Sequence, residues 1–318
     1  MDVLYTSHIY SKVCSYLTEK NKQNLAYISS EFLHNTDYTV SKSVIINDKT
    51  YDSILALSEC IRHERLILNI VKIDAIIDLL QVSVIFKNLN KLEFICCDLI
   101  EDVSIFSTIK HINLSNCKNI SDISPLKNAI SLNISNCSKV YDVSSLKDVE
   151  NLDLSWCVNI VDVSMLKNVK MLNLSYCDKI RTLSGLTNIY SIKLDNSVNF
   201  YKFEHTMNIY KLTLNWCKIK DVSILGNVHI LKISNCNNIV DFSHLGNIYD
   251  LTIDACENFT DASMLGNVHS LTISFCNNII DISMLENVEI LSLKYCKNID
   301  ISTIGNVKNL NIYECNRT

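Results

Sequence analysis

The chain has 318 residues, a formal net charge of −5, 48% hydrophobic and 20% charged residues. That balance supplies a large core and excludes a disordered tail, and its mild acidity argues against gripping nucleic acid through bulk charge. A single proline excludes a Pro-rich linker, while the 14 cysteines open three readings: disulfides, metal ligands or buried apolar packing.

The first residues, Met1 to His8, show no basic stretch followed by an apolar one, so no secretory signal is read there. Residues 5–33 read as helices. Ile9, Val13, Tyr16 and Leu17 fall on one helical face, and Leu25, Ile28 and Phe32 repeat the pattern. Strand-like Val44-Ile45-Ile46 precedes Ile54, Leu57 and Ile61 at helical spacing. Strand-like Leu66-Ile67-Leu68 precedes Ile73, Ile76, Ile77 and Leu80, and the step from Leu66 to Leu92 is read as a 26-residue unit. The most apolar stretch, 66–86, is broken by Lys72, Asp74 and Asp78, so no membrane span is predicted.

From Leu92 the chain repeats. Aligned leucines or isoleucines start units at 92, 112, 132, 152, 172, 192, 212, 231, 251, 271, 291 and 310; the step is 20 residues nine times and 19 twice. In the unit 152–171, Leu152 and Leu154 alternate as the inward face of a short strand. Cys157 turns the chain out of it, Ile160 and Val163 point back to the core, and Leu166 and Val169 close it. Asp162 and Ser164 suit a tight turn, because their side-chain oxygens accept from nearby backbone N–H groups. Twenty residues leave no room for a full outer helix, and no unit can bury its apolar stripe alone, so the units must stack.

The spacing sorts the cysteines. Eleven share one repeat position: Cys97, Cys117, Cys137, Cys157, Cys177, Cys217, Cys236, Cys256, Cys276, Cys296 and Cys315. An inward thiol repeated on every rung reads as a small hydrophobe with a weak S–H donor. The paired Cys-x-x-Cys spacing of a zinc site is absent. A second row of Asp (Asp102, Asp122, Asp142, Asp162, Asp221, Asp241, Asp261, Asp281, Asp300) lacks glycine-rich calcium spacing and reads as loop satisfaction. The unit 192–211 departs most. It has Ser197 for the cysteine and Lys202 for the Asp, with Phe200, Tyr201 and Phe203 in its outer turn; this reads as local repacking or, alternatively, an outer-face contact.

The repeat resembles the leucine-rich repeat over 92–318. Leu152-Asp153-Leu154-Ser155-Trp156-Cys157 and Leu172-Asn173-Leu174-Ser175-Tyr176-Cys177 resemble the cysteine-containing repeats of F-box/leucine-rich-repeat proteins, and Ile120-Ser121-Asp122-Ile123-Ser124-Pro125-Leu126 resembles internalin outer turns. The implied fold is an α/β solenoid, a horseshoe with a parallel concave sheet and a turn-rich, 3₁₀-rich convex face. The segment 1–40 resembles an F-box through Ile9, Tyr10, Val13, Tyr16, Leu17, Leu25, Ile28 and Phe32. In that family these residues dock a Skp-type adaptor; the alternative is a plain helical cap. The implied organisation is an F-box-like head at 1–40, two helix-bearing cap repeats at 41–91, and regular repeats at 92–318.

The expected function is a non-catalytic protein-interaction adaptor, either the substrate-recognition subunit of a cullin–RING ubiquitin ligase or a plain repeat scaffold. The concave face is the expected partner surface, with Trp156, Tyr176, Trp216, Phe275 and Tyr295 before the cysteine as anchors. The alternative is that they only cover strand ends. A face of twelve strands suits a protein better than a small ligand. No phosphate loop, metal motif or nucleophile elbow occurs, so neither enzymatic activity nor a cofactor or metal is expected. Nucleic acid and membrane are not expected partners, and weak self-association is expected through the edge of the strand at Leu310. Sequons at Asn113, Asn133, Asn173 and Asn258 fall mostly in predicted strands, where a glycan fits badly, so the expected location is intracellular. The 37 asparagines, with many isoleucines and lysines, point to an AT-rich genome such as that of a large DNA virus or a protist, the host cytoplasm being the location if viral.

Overall fold

The computed structural model describes residues 43–46, 67–71, 91–98, 100–197, 203, 208–279, 281–305 and 307–315. The chain divides into two units, Met1–Val140 and Tyr141–Thr318. In the first, β1 (Ser43–Ile46), β2 (Ile67–Val71), β3 (Lys91–Ile95), β4 (His111–Asn113) and β5 (Ser131–Asn133) pair in parallel and in chain order. In the second, the strands are β6 (Asn151–Asp153), β7 (Met171–Asn173), β8 (Asn188–Asp195), β9 (Asn208–Asn215), β10 (Ile230–Ser234), β11 (Asp250–Asp254), β12 (Ser270–Ser274), β13 (Ile290–Lys294) and β14 (Asn309–Tyr313). Each of these also pairs in parallel with the next.

The register follows the leucines. Leu231, Leu251, Leu271, Leu291 and Leu310 stand opposite one another on β10 to β14. Leu68 pairs with Leu92, and Val44 with Leu68, so the early units step by 24 residues rather than the 26 read from Leu66. The helices expected between these strands, and the F-box-like residues Ile9, Tyr10, Val13, Tyr16, Leu17, Leu25, Ile28 and Phe32, lie outside the described residues.

The inward positions named from the sequence are buried through the unit beginning at Leu291, whereas in the unit beginning at Leu310 that leucine is 40% exposed and Cys315 is half-buried. In the unit 152–171, Leu152, Leu154, Cys157, Ile160, Val163, Leu166 and Val169 are all at most 3% exposed. The core is thus a stack of seven aligned rows, each row continued by the next repeat at the strand spacing of about 4.8 Å. Phe203 falls on the Val163 row and is buried at 3%. Its side chain therefore turns inward from the outer turn and fills core, and Phe200 and Tyr201 lie outside the described residues.

The outer turns are built by the aspartate row. Asp102, Asp122, Asp142, Asp162, Asp221, Asp241, Asp261, Asp281 and Asp300 each accept the backbone N–H two residues on, at 2.8–2.9 Å. This ends extended structure and starts a tight turn. In most units it becomes a short 3₁₀ segment, such as Ser124–Asn128, Ser243–Leu245 or Ser283–Asn287. Pro125 lies inside the first of these, where its fixed φ costs nothing and its missing N–H is not needed.

Candidate functional site

The outward side of the strands is a broad surface whose side chains the core does not claim, so its construction bears on what the protein can bind. Along β4 to β7 the residue between the two inward leucines is Asn113, Asn133, Asp153 or Asn173. Each side-chain oxygen accepts the N–H of the serine two residues on, at 2.9–3.1 Å. The Asx turn takes that N–H, and these strands stop at three residues. Asn173 also donates to Asp153 at 3.0 Å. The sequon asparagines Asn113, Asn133 and Asn173 therefore serve the strand ends, and Asn258 donates its amide to the carbonyl of Asn237 in the preceding repeat. From β9 to β13 the same position holds Thr213, Lys232, Thr252, Thr272 or Ser292, and the strands run five to eight residues.

The residue before each cysteine occupies the left-handed region of the backbone in every described repeat, with φ between 48° and 63°. Asparagine tolerates this conformation and stands there at Asn116, Asn136, Asn196 and Asn235. Adjacent asparagines at or beside this row also bond to each other, Asn136 to Asn116 at 2.7 Å and Asn235 to Asn215 at 3.2 Å. A bulky ring there costs about 1–2 kcal/mol of backbone strain. All five sequence candidates nonetheless occupy it: Trp156 (φ 63°), Tyr176 (61°), Trp216 (56°), Phe275 (53°) and Tyr295 (54°).

The structure therefore moves these five from the strand face to the corner where each strand ends. It pairs four of them: the rings of Trp156 and Tyr176 stack at 3.8 Å between centroids, and those of Phe275 and Tyr295 at 4.6 Å. Trp216 differs. It stands between Asn196 and Asn235, is 57% exposed, and meets no other ring among the described residues.

A second aromatic row escaped the sequence reading. Tyr190, Tyr210, His229, Tyr249 and His269 stack in succession with centroids 4.8, 4.6, 4.7 and 4.3 Å apart. They occupy one repeat position at the entrance to β8 through β12. The row is continued by Glu289, whose carboxylate lies 3.1 Å from a ring nitrogen of His269 and pairs with Lys308 at 2.7 Å. Its signal was an aromatic or imidazole ring two residues before the first core leucine in five successive repeats. A search confined to the residue before the cysteine does not see it.

The cysteine row is a hydrogen-bonded ladder of free thiols. Cys137, Cys177 and Cys217 direct their thiols at the carbonyls of Leu114, Leu154 and Leu194 in the preceding repeats, at 3.2, 3.0 and 2.8 Å. Ser197, the one substitution in this row, directs its hydroxyl at the carbonyl of Leu174 at 3.2 Å, so it keeps the bond. Burial pushes the thiol of Cys256 up to about 11 and that of Cys276 up to about 12. Such thiols stay protonated near neutral pH and are poor nucleophiles and metal ligands. Among the described residues no His/Cys/Asp/Glu group has the arrangement to hold a metal ion. A shallow cleft between outer turns, lined by Val240, Phe242, Thr260 and Met264 among others, holds about 130 Å³. That is below the roughly 300–1,000 Å³ of small-molecule sites. No helix among the described residues is long and apolar enough to cross a membrane.

No family model matches the sequence, and no curated protein matches it. Solved structures are similar to it. An internalin (inlF) from Listeria monocytogenes superimposes with a TM-score of 0.53 at 19% identity, covering 93% of this chain and 90% of that one. The functional domain of InlJ from the same species, described as including a cysteine ladder, gives 0.48 at 16% identity over 87% and 64% of the two chains. A leucine-rich-repeat protein of Leptospira interrogans gives 0.45 at 14% identity over 82% and 86%. The rows of aligned leucines, the parallel register and the likeness to the inlF internalin together establish the leucine-rich-repeat fold.

Proposed function

We propose that the chain is a non-catalytic protein-interaction adaptor that holds a protein partner on the strand side of its repeats. The observation that carries this is Trp216. The sequence keeps a large exposed ring in a strained conformation where its neighbours in the row are asparagines, and where an asparagine would relieve the strain. The ring stacks on no other ring among the described residues, whereas exposed tryptophans are preferred anchors of protein interfaces. Trp156 with Tyr176, and Phe275 with Tyr295, extend the anchor row. Their stacking recovers part of the backbone cost, so they support the reading less sharply.

The finer proposal is a substrate-recognition role in a cullin–RING ubiquitin ligase, with residues 1–40 docking a Skp-type adaptor. It rests on the F-box-like pattern at Ile9, Tyr10, Val13, Tyr16, Leu17, Leu25, Ile28 and Phe32. An intracellular setting, the host cytoplasm if the source is viral, is part of this proposal, since both the adaptor and a persistent ladder of free thiols belong to a reducing compartment. Binding of purified Skp-type adaptor to the full-length chain and to residues 41–318 tests it. The expected result is binding by the full-length chain alone. Equal binding by both, or by neither, overturns the ligase role and leaves a plain repeat scaffold.

A further inference from the structure

Charge is not spread evenly along the repeats. Between residues 188 and 235 the sequence carries six lysines against three carboxylates, in a chain whose net charge is −5. Three of those lysines share the outward side of adjacent strands. Lys193 on β8 and Lys232 on β10 both stand opposite Thr213 on β9, and Lys211 lies two residues before Thr213 on the same face. The inward partners Leu212 and Leu214 are fully buried, which fixes the lysines on the outer side.

The partners of these lysines differ. Lys193 pairs with Asp195 at 2.8 Å. Lys211 and Lys232 are exposed and meet no carboxylate among the described residues. The basic tract is also bounded. On the next strand, β11, the outward residues are Asp250, Thr252 and Asp254. On β7 the outward Asn173 is bonded to Asp153 and to the N–H of Ser175.

We infer that the outer face of β8 to β10 is a docking surface for an extended acidic segment of a protein partner. This deepens the adaptor reading above and rests on it. The geometry favours an extended chain over a compact anion. Lys193 and Lys232, two strands apart, are separated by about 10 Å at their backbones, so the charges do not converge on one point. Along β9 the surface begins at Tyr210, passes Lys211 and Thr213, and ends at Trp216. Those six steps span about 20 Å, the length of about six extended residues. Carboxylates on alternate residues of such a segment lie about 7 Å apart, matching the step from Lys211 to the level of Lys193 and Lys232. An apolar side chain at its end would rest on the exposed ring of Trp216.

The test is fluorescence anisotropy on the full-length protein with a labelled alternating Glu-Ser octapeptide ending in Leu-Leu. Its Gln-Ser counterpart and a ten-nucleotide oligo-dT serve as comparison probes. The expected result is at least tenfold tighter binding of the Glu than of the Gln peptide at 50 mM salt, a gap that closes toward 500 mM. The Lys211→Glu/Lys232→Glu variant should abolish the gap. Lys127→Glu/Lys147→Glu, the same charge change on exposed outer turns, should leave it intact. Equal binding of the two peptides, a gap that survives Lys211→Glu/Lys232→Glu, or tighter binding of oligo-dT would each overturn the inference. The adaptor reading is separable: if the peptides fail but Trp216→Asn still loses protein capture, only the acidic specificity falls, and if both fail both fall.

Discussion

The repeats from 112 to 186 and those from 212 to 294 bury the same repeat positions and differ on both surfaces. On the strand side, the earlier repeats place Asn or Asp between the core leucines and bond it to the following serine, so their strands are short and their polar groups already serve each other. The later repeats place Thr, Ser or Lys there, run longer strands, and leave lysines free to meet a partner. On the outer side, the earlier turns carry Lys127, Lys147 and Lys167 where the later ones carry Gly226, Gly246 and Gly266. A Cβ on Gly246 would come within 2.2 Å of the carbonyl oxygen of Met264 in the next turn, so glycine permits that close approach. The core rows set the fold, while two variable positions per repeat set strand length, turn packing and surface charge.

The largest test of this contrast is on the outer turns. Gly246→Ala should destabilise the chain by about 1–3 kcal/mol, because backbone must move to admit the methyl group. Lys147→Ala should stay within about 0.5 kcal/mol. Urea midpoints measure both, and equal shifts would break the contrast.

A smaller effect concerns the thiol row, which crosses both regions. Cys137→Ala removes the thiol donor from the Leu114 carbonyl, which keeps only the Cys117 N–H at 3.3 Å, and should cost about 1 kcal/mol. Cys137→Ser should cost less, because Ser197 already makes the equivalent bond in the intervening unit 192–211.

The thiols also predict a pH dependence. Folding raises Cys256 to about 11 and Cys276 to about 12 from an ordinary 9.0. The folded chain therefore keeps protons that the unfolded chain releases. The stabilisation is full below pH 9 and is lost as pH rises toward 11–12. Cys276→Ser should show a shallower loss of stability between pH 9 and 11 than the parent chain, and parallel curves would contradict this. On the acid side, the Ser144 N–H and hydroxyl hold Asp142 below its ordinary 3.8, so its contribution is present above that value and fades as pH falls below it.

The smallest effect is on strand length. Asn133→Thr should change stability by only a few tenths of a kcal/mol, yet it frees the Ser135 N–H from its Asx turn. Slower amide exchange at Ser135 would show the strand extending, and faster exchange would show that the Asx bond was its only protection.

Much of this was readable from the sequence because a repeat multiplies each signal. Leu152, Leu154, Cys157, Ile160, Val163, Leu166 and Val169 were assigned inward, and all are buried. The Asp162 turn was likewise foreseen and forms. Phe203 was read only as part of an aromatic outer turn, although counting from Ile192 puts it on the inward Val163 row, where it is buried. The five rings before the cysteine were singled out by residue type, but their left-handed backbone and corner position depend on how the chain leaves the strand, which composition does not encode. The Tyr190 to His269 stack depends on cross-strand register, so it emerges only when the repeats are laid side by side.

Trp216→Asn tests the central claim most directly, by measuring stability and protein capture on the same variant. Replacing a strained ring that stacks on no other ring among the described residues with the residue its neighbours use should raise stability by about 1 kcal/mol, while proteins retained by the parent chain are lost. A variant that is less stable, or that retains the same proteins as the parent, would show that the ring serves the fold and that the partner binds elsewhere.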